Sequence, residues 1–234
     1  MLENILSKIF NVFSGLFSGI WNFFKKFFSI MLIIILVIIL NAFSHTSGKC
    51  GENIIWNYNT ETQTLTISGF GTINDYDIND LPPWYTYHNE ISNVIIEDGI
   101  LNIHANSFRN CKNLISVTMP DSIMFIEDSA FKKCTNLTNF TIPDNVITIE
   151  ENAFSYCKMI ESIKLPENLI FIGSKAFYNC TNLKSVQMND KIVVIDNYAF
   201  SNCLQLTDII IPDTVTYIGS GVFERSCYSA RSIG

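Results

Sequence analysis

The sequence predicts an α/β solenoid of six 23-residue repeats, built from short strands and short helical or 3₁₀ turns, behind a β-hairpin-type N-terminal cap. One observation is a pattern of apolar, acidic, Ala-Phe and Cys positions that returns every 23 residues without insertion or deletion. The repeats, from which positions are counted below, open at Ile91, Leu114, Leu137, Ile160, Leu183 and Leu206. The other is the period itself, which falls within the leucine-rich-repeat range of about 20–29 residues. Because so small a unit cannot bury its apolar face alone, neighbouring coils must stack.

Residues 1–47 are predicted to be a hydrophobic signal peptide or signal-anchor segment. Between Phe27 and Leu40 the only polar residue is Ser29, and this run of 14 residues is short for a transmembrane span but fits the core of a signal peptide. Three lysines precede it, at Lys8, Lys25 and Lys26. The positive-inside rule therefore places the N-terminus in the cytoplasm and the repeats outside, whether the segment is cleaved or retained as a membrane anchor. A buried helix of a soluble protein is disfavoured because the repeats leave no layer to cover it.

Residues 48–90 are predicted to form the N-terminal capping region, and residues 91–234 the solenoid. Segments 53–58 and 64–68 alternate apolar and polar residues around a polar Asn-Thr-Glu-Thr sequence, which is typical of a β-hairpin. The first coil of a solenoid exposes apolar side chains. We expect the hairpin with Trp56, together with Trp84, to cover them.

Each repeat begins with a predicted strand whose positions 4 and 6 are apolar and point inward. Proline, which lacks the N–H that a strand needs, ends it in four repeats, at Pro120, Pro143, Pro166 and Pro212. An acid comes next in all six, at Asp98, Asp121, Asp144, Glu167, Asp190 and Asp213. We expect these carboxylates to accept backbone N–H groups of the turn.

The second half of each repeat has an inward apolar stretch, then Ala-Phe, then Cys; in the third repeat these last residues are Ala153, Phe154 and Cys157. We expect the phenylalanines to stack as a buried spine within a short helical or 3₁₀ turn, rather than to form an aromatic binding ladder. The column cysteines are expected to be buried free thiols, since no Cys-x-x-Cys occurs and seven cysteines cannot all pair. The state of Cys50 and Cys227, outside this column, stays open.

One repeat reads Leu-Thr-Asn-Phe-Thr-Ile-Pro-Asp-Asn-Val-Ile-Thr-Ile-Glu-Glu-Asn-Ala-Phe-Ser-Tyr-Cys over residues 137–157 and resembles the BspA-like leucine-rich-repeat family. The preceding segment resembles that family's cap, with Gly-Lys-Cys-Gly at 48–51, Trp-Asn-Tyr at 56–58, Thr-Leu-Thr-Ile-Ser-Gly at 64–69 and Pro-Trp at 83–84. Four departures occur, at Ser107, Asn189, Val222 and Ser226. The resemblance implies an exported cell-surface or secreted binding protein, often acting in adhesion to host cells, matrix or other microbes. It implies no catalytic residues.

Charge and motifs argue against other functions. The formal net charge is −7 and no basic stripe is present, which disfavours nucleic acid as a partner. No catalytic or phosphate-binding motif occurs, so we predict a protein that is not an enzyme and uses no cofactor or metal. His104 is interpreted as a solvent-facing spacer. Asp75, Asp77 and Asp80 are interpreted as a polar loop, because the glycine and terminal glutamate of a calcium loop are missing.

Two faces of the solenoid are candidate ligand-binding surfaces. Position 5 of the first strand forms a polar ladder that includes Thr118, Thr141, Lys164 and Gln187. Position 12, next to the inward position 13, turns an aromatic ridge outward at Phe125, Phe171 and Tyr217, unless neighbouring side chains partly bury it. An extracellular protein would fit the ridge and a polysaccharide the ladder. The cap around Trp84, Tyr85 and Tyr87 is a third location.

The predicted function is therefore that of an exported cell-surface or secreted leucine-rich-repeat binding protein, acting in adhesion through the solenoid surface. The alternative is a structural surface protein without a dedicated ligand, which self-associates through its C-terminal repeat.

Overall fold

The computed structural model describes residues 7–8, 15, 26–27, 29–34, 46–77, 79–226 and 229–232. The chain divides into two compact units, Met1–His45 and Thr46–Gly234. In the first unit the described residues are helical, and Ile30, Leu32 and Ile33 are more than half exposed. Among the described residues, no helix is both long and apolar enough to cross a membrane. The signal peptide or signal-anchor predicted for residues 1–47 falls mostly outside the described residues.

The described residues of the second unit form short strands and one 3₁₀ helix. The cap contributes β1 (Ser47–Lys49), β2 (Ile54–Asn59), β3 (Thr64–Gly69) and the 3₁₀ helix Tyr85–Tyr87. The first strands of the repeats are β4 (Asn93–Ile96), β6 (Ser116–Thr118), β8 (Asn139–Phe140), β10 (Ser162–Lys164), β12 (Ser185–Gln187) and β14 (Asp208–Ile211). The second strands are β5 (Asn102–Ile103), β7 (Phe125–Ile126), β9 (Thr148–Ile149), β11 (Phe171–Ile172), β13 (Val194–Ile195) and β15 (Tyr217–Ile218). A last strand, β16 (Ser229–Ser232), pairs parallel with β14.

The predicted cap hairpin is confirmed. Strands β2 and β3 pair antiparallel, and β1 adds to β2 in the same sense. Alternate residues of β2 are buried, namely Ile54, Trp56 and Tyr58. Asn59 closes the turn, since its Oδ1 accepts the backbone N–H groups of Glu61 and Thr62 at 2.9 and 3.0 Å. Strand β3 pairs parallel with β4, so the cap covers the edge of the first repeat.

Parallel pairing between equivalent strands holds the repeats in register. The second strands form one continuous six-stranded sheet, in which Ile126 lies opposite Ile149, 23 residues later. The first strands form a sheet that is interrupted twice, because β8 does not pair with β10 and β12 does not pair with β14. Only this repeat has an aromatic residue, Phe140, at position 4, and its ring stacks on Phe154 with 5.3 Å between centroids. We attribute the interruption after β8 to this larger inward side chain.

The segments predicted as short helical or 3₁₀ turns form consecutive turns instead. Backbone bonds of the 3₁₀ type do occur, as from Arg109 N to Asn106 O at 3.1 Å. Between them, however, N–H groups donate to the next coil, as from Phe108 N to Ala130 O at 2.8 Å. Two residues per coil have positive φ and interrupt any helix, at positions 16 and 20; in the first repeat they are Asn106 and Asn110. The turns therefore link neighbouring coils, which a helix would not do.

The predicted phenylalanine spine is confirmed. Its central five residues are fully buried, at Phe108, Phe131, Phe154, Phe177 and Phe200. Successive ring centroids lie 5.2–5.4 Å apart in nearly parallel planes. Trp84 of the cap extends the stack at 5.9 Å from Phe108, and Phe223 extends it at 5.9 Å from Phe200. The rings thus form one apolar column from the cap to the last repeat.

The cysteine column lies beside this spine, and its thiols also bond to the preceding coil. The Sγ of Cys157 donates to Phe131 O at 3.1 Å, and Cys134, Cys180 and Cys203 make the equivalent bond. Ser226, which replaces the last cysteine, donates from its Oγ to Phe200 O at 2.7 Å. Six cysteines are free and buried, at Cys50, Cys111, Cys134, Cys157, Cys180 and Cys203. Cys227 lies outside the described residues.

Candidate functional site

The aromatic ridge predicted at position 12 is partly exposed. Phe125 and Tyr217 are 38% and 50% exposed, whereas Phe171 is half-buried. Asn102, at the same position of the first repeat, is only 3% exposed. The aromatic side chains alone therefore form a broken surface.

Position 11 fills the gaps in this surface. Four of its five apolar residues, Leu101, Met124, Ile170 and Val193, are 37–43% exposed, and the fifth, Ile147, is half-buried. Each coil bonds to the one before it here, as from Met124 N to Leu101 O at 2.8 Å, so equivalent side chains lie one strand spacing apart. We call the exposed apolar residues of position 11, together with the aromatic residues of position 12, the second-strand ridge: Leu101, Met124, Phe125, Ile170, Phe171, Val193 and Tyr217. The exposure of position 11 was not predicted from the sequence, because a column of aliphatic residues between the inward positions 10 and 13 is typical of a core.

The polar ladder at position 5 lies on the other strand face. Thr118, Thr141, Lys164 and Gln187 are all exposed. Carboxylates surround its cation, since Lys164 Nζ lies 3.5 Å from Glu167 Oε1 and 3.8 Å from Asp144 Oδ1. Asp144 also accepts the backbone N–H of Glu167 at 3.1 Å, so this bond crosses to the next coil, whereas the prediction was a bond within the turn. The ladder is thus polar, with its positive charge already compensated.

A hollow of about 550 Å³ opens in the ladder face between β6 and β8. It is lined by Ser116, Val117, Thr118, Met119, Thr138, Asn139, Phe140 and Thr141. Two of these, Thr118 and Thr141, are ladder residues. The hollow combines hydroxyl groups, one amide and one aromatic ring, and it lies where the first-strand sheet ends at β8.

At the third location, the cap, Trp84 covers the first coil as predicted and is not part of an exposed surface. Trp84 is fully buried, and its Nε1 donates to Ser107 O at 2.8 Å, so it holds the cap on the first coil and cannot contact a ligand. Tyr85 is half-exposed and stacks on His88 with 4.2 Å between centroids. It borders a cavity of about 220 Å³ that Arg109 also lines.

A cluster of ligand-type side chains joins the cap to the first two coils. Asp75 Oδ1 and Glu127 Oε2 lie 2.5 and 2.6 Å from Nδ1 of His104. The side chain of His104 is only 15% exposed, so its interpretation as a solvent-facing spacer is wrong. It is covered because the cap loop lies against this coil, where Asn106 Nδ2 donates to Tyr76 O at 3.1 Å. Later coils carry Glu, Gly or Asp at this position, so the repeat pattern gave no sign of the contact.

The electrostatics of this cluster are dominated by its carboxylates. Burial would lower the pKa of His104, but the carboxylates of Glu127 and Asp75 outweigh burial and raise it. Burial would raise the pKa of Glu127, but the adjacent His104 and a hydrogen bond from Asn102 lower it. Burial and the nearby charge of Glu127 raise the pKa of Glu150, one coil further on. Asp75, His104 and Glu127 form the one group among the described residues whose ligand atoms are close enough to hold a metal ion together.

Comparison with known proteins supports the fold. The sequence matches the family model of the BspA type leucine rich repeat region in six copies, over residues 84–203 and 125–233. No functionally curated protein matches the chain.

Three crystal structures are similar. A leucine rich cell surface protein from Faecalibacterium prausnitzii has 26% identity and a TM-score of 0.58, covering 80% of this chain and 54% of that one. A leucine-rich repeat protein from Bacteroides ovatus has 24% identity and a TM-score of 0.58, covering 74% and 50%. The leucine-rich repeat protein of T. pallidum has 24% identity and a TM-score of 0.57, covering 72% and 84%. The chain spans about half the length of the first two proteins.

Proposed function

The chain belongs to the BspA-type leucine-rich-repeat family, and from that premise we propose that it is an exported cell-surface binding protein, acting in adhesion through its second-strand ridge. The observation that carries this proposal is the exposure of the ridge across the repeats, with Leu101, Met124, Ile170 and Val193 each 37–43% exposed. Contiguous exposed apolar surface on a folded protein marks interaction sites. The fold itself does not require apolar side chains there, since Thr216 holds position 11 in the last repeat.

Surface localisation is supported by the printed description of the Faecalibacterium prausnitzii relative as a cell surface protein. It is also supported by the apolar run at 27–40 with lysines before it, which is the arrangement of an export segment, cleaved or retained. Solenoids of this kind present long surfaces suited to binding other macromolecules. We therefore propose a binding scaffold rather than an enzyme.

An extracellular protein is the ligand class that the ridge favours. Binding energy at protein interfaces concentrates in a few aromatic and large apolar anchors. Phe125 and Phe171 lie in alternate coils, each flanked by an aliphatic residue of position 11. A polysaccharide would instead fit the ladder, where the hollow between β6 and β8 offers hydroxyl and amide groups.

The test compares two double variants for binding to host-cell surfaces and immobilised matrix proteins. Phe125→Ser with Phe171→Ser removes two rings without changing the buried Ile126 and Ile172. We expect binding to weaken about 30-fold or more, corresponding to about 2 kcal/mol for loss of anchor residues. Lys164→Glu with Gln187→Glu changes only the ladder and should leave protein binding near that of the parent.

Phe70→Ser is the matched control, because Phe70 is 65% exposed but lies in the cap, outside the ridge. Circular dichroism must show that all variants fold. If the ridge variant binds like the parent, the proposed surface is wrong. Loss of binding in the ladder variant alone, together with binding to polysaccharide arrays, would identify the ladder as the site.

Self-association through the last repeat is a second candidate function. Ile218 is 48% exposed, whereas the five residues at the same position of the earlier coils are fully buried, at Ile103, Ile126, Ile149, Ile172 and Ile195. Such a side chain is covered when another coil stacks on it. Sedimentation analysis over a wide concentration range tests this candidate, since a protein that stays monomeric would contradict it.

A further inference from the structure

The convergence of Asp75, His104 and Glu127 is the feature that the proposed function leaves unused. The three residues come from separate places: the cap loop after β3, the segment after β5 and the segment after β7. One ligand atom from each lies within 4.8 Å of the other two. His104 and Glu127 occupy the same position in successive repeats, 23 residues apart, so the solenoid itself places them side by side.

Hydrogen bonding alone does not explain this geometry. An imidazole nitrogen carries at most one hydrogen, yet two carboxylate oxygens lie 2.5 and 2.6 Å from Nδ1 of His104. That nitrogen is buried, and neither contact has the geometry of a hydrogen bond. Two carboxylate oxygens therefore converge on one nitrogen, at less than the roughly 3.3 Å that separates the ligand atoms of a tetrahedral metal ion. A cation that accepts an electron pair from each of the three groups would draw these atoms apart to that spacing and satisfy all of them at once.

Asn102 provides a second and independent observation. It is 3% exposed, and its Nδ2 donates to Glu127 Oε1 at 2.7 Å, which leaves Glu127 Oε2 turned towards His104. The Oδ1 of the same amide is buried and has no hydrogen-bond partner. A buried acceptor of this kind is costly unless it is paired. Beside the cluster, it can accept a hydrogen bond from a water molecule on a bound metal, while the amide orients a ligand carboxylate, as outer-shell groups do.

We propose that Asp75, His104 and Glu127 bind a divalent transition-metal ion, with Zn²⁺ as the best match. One imidazole nitrogen and two carboxylate oxygens are an accepted zinc donor set, and three protein ligands leave a position for water. Ca²⁺ and Mg²⁺ fit less well because they prefer oxygen ligands alone. The bound ion fastens the cap loop that carries Asp75 to the first two coils of the solenoid. It would thus strengthen the covered end of the stack.

The test measures Zn²⁺ binding by the metal-stripped full-length chain in mild detergent, by calorimetry, with Co²⁺ absorption spectra as a second probe. We expect one saturable Zn²⁺ per chain and a Co²⁺ spectrum of mixed nitrogen and oxygen ligation. Asp75→Asn, at a side chain that is 86% exposed, and His104→Gln should each weaken binding about tenfold or more. Zn²⁺ should raise the melting temperature of the parent more than that of either variant.

Two matched substitutions distinguish this site from incidental binding. Asp80→Asn removes another exposed carboxylate of the same loop, and His88→Gln removes the histidine that stacks on Tyr85 in the cap. Both should bind Zn²⁺ like the parent. The proposal is overturned if the parent takes up no stoichiometric Zn²⁺, or if Asp75→Asn and His104→Gln bind it as tightly as these two controls.

Discussion

The turn side of each coil, which comprises positions 16–21, repeats in sequence far more strictly than the exposed positions of its two strands. Phenylalanine holds position 18 in all six repeats, and cysteine holds position 21 in five, with Ser226 in the sixth. Position 12 holds, in order, Asn, Phe, Thr, Phe, Val and Tyr. The difference matches what each side does in the structure. The turn residues bond and stack on the neighbouring coil, whereas much of the strand faces points towards solvent.

This contrast separates scaffold from recognition surface. A residue that must fit the coils before and after it tolerates little change in volume or donor groups. Even the substitution of the last column cysteine keeps the bond, because Ser226 Oγ donates to Phe200 O. The exposed residues of positions 5, 11 and 12 carry no such constraint, so their side chains can vary without loss of packing. The three predictions below test whether stability really resides on the turn side.

The largest effect should come from alkaline pH, acting through the cysteine column. Burial raises the pKa of Cys111 and of Cys203 from 9.0 to about 12, and it also raises the pKa of Cys134, Cys157 and Cys180. Because the folded pKa lies above the unfolded value, stability is intact below pH 9 and is lost as pH rises from 9 towards 12. At pH 10 each of these thiols lowers the free energy of unfolding by about 1.4 kcal/mol, so the five together lower it by about 7 kcal/mol. We expect cooperative unfolding near pH 10. Circular dichroism under reducing conditions would measure this transition.

Cys157→Ser is the control for this prediction. A serine hydroxyl keeps a donor for Phe131 O, as Ser226 does for Phe200 O, but it does not titrate in this range. Burial also raises the pKa of Cys50 to about 12, so the variant should lose about one sixth of the pH dependence that the six buried thiols give to the free energy of unfolding above pH 9. An unchanged dependence would show that the thiols do not drive the transition.

Removing one ring of the spine should have the next largest effect. Phe154 is fully buried between Phe131 and Phe177, with centroid distances of 5.2 and 5.4 Å. Phe154→Ala should lower the free energy of unfolding by about 3–5 kcal/mol, measured by urea denaturation. The loss should extend to adjacent coils because each is stabilised by its neighbours. Thr141→Ala, on the exposed ladder, should change it by less than about 0.5 kcal/mol. Equal losses in the two variants would contradict the assignment of Phe154 to the buried spine and of Thr141 to the exposed ladder.

The strictly repeated features were the ones that sequence could predict. A column such as Phe154 recurs because every coil must present the same shape to the next, so the period alone gave the spine, the thiol column and the strand register. The hairpin was predictable because residues 54–59 alternate over a full strand length. Features that depart from the repeat, or that involve segments too short to show a period, could not be predicted from the sequence.

Three features were missed for such physical reasons. Second strands of two residues are too short for alternation to distinguish outside from inside, so the exposure of position 11 went unseen. The contact between Asp75 and His104 joins an irregular loop to a coil, and no periodicity encodes it. The left-handed turn residues include Lys133, Lys175 and Tyr198 as well as asparagines, and only the last repeat has the usual glycine there, at Gly221.

The smallest effect should come from these left-handed positions on the turn side. Lys133 is exposed and has a φ of +64°, while the equivalent residues Asn110, Asn179 and Asn202 are of the type that tolerates this conformation. Lys133→Asn should therefore raise the free energy of unfolding by about 0.5 kcal/mol. Lys133→Val should lower it by about 1–2 kcal/mol, because a β-branched side chain is strained there. Both variants keep the backbone bond from residue 133 to Ser155 O, 2.8 Å in the parent, so urea denaturation would measure the backbone preference itself. A valine variant as stable as the asparagine variant would mean that the coil does not hold this residue in the left-handed conformation.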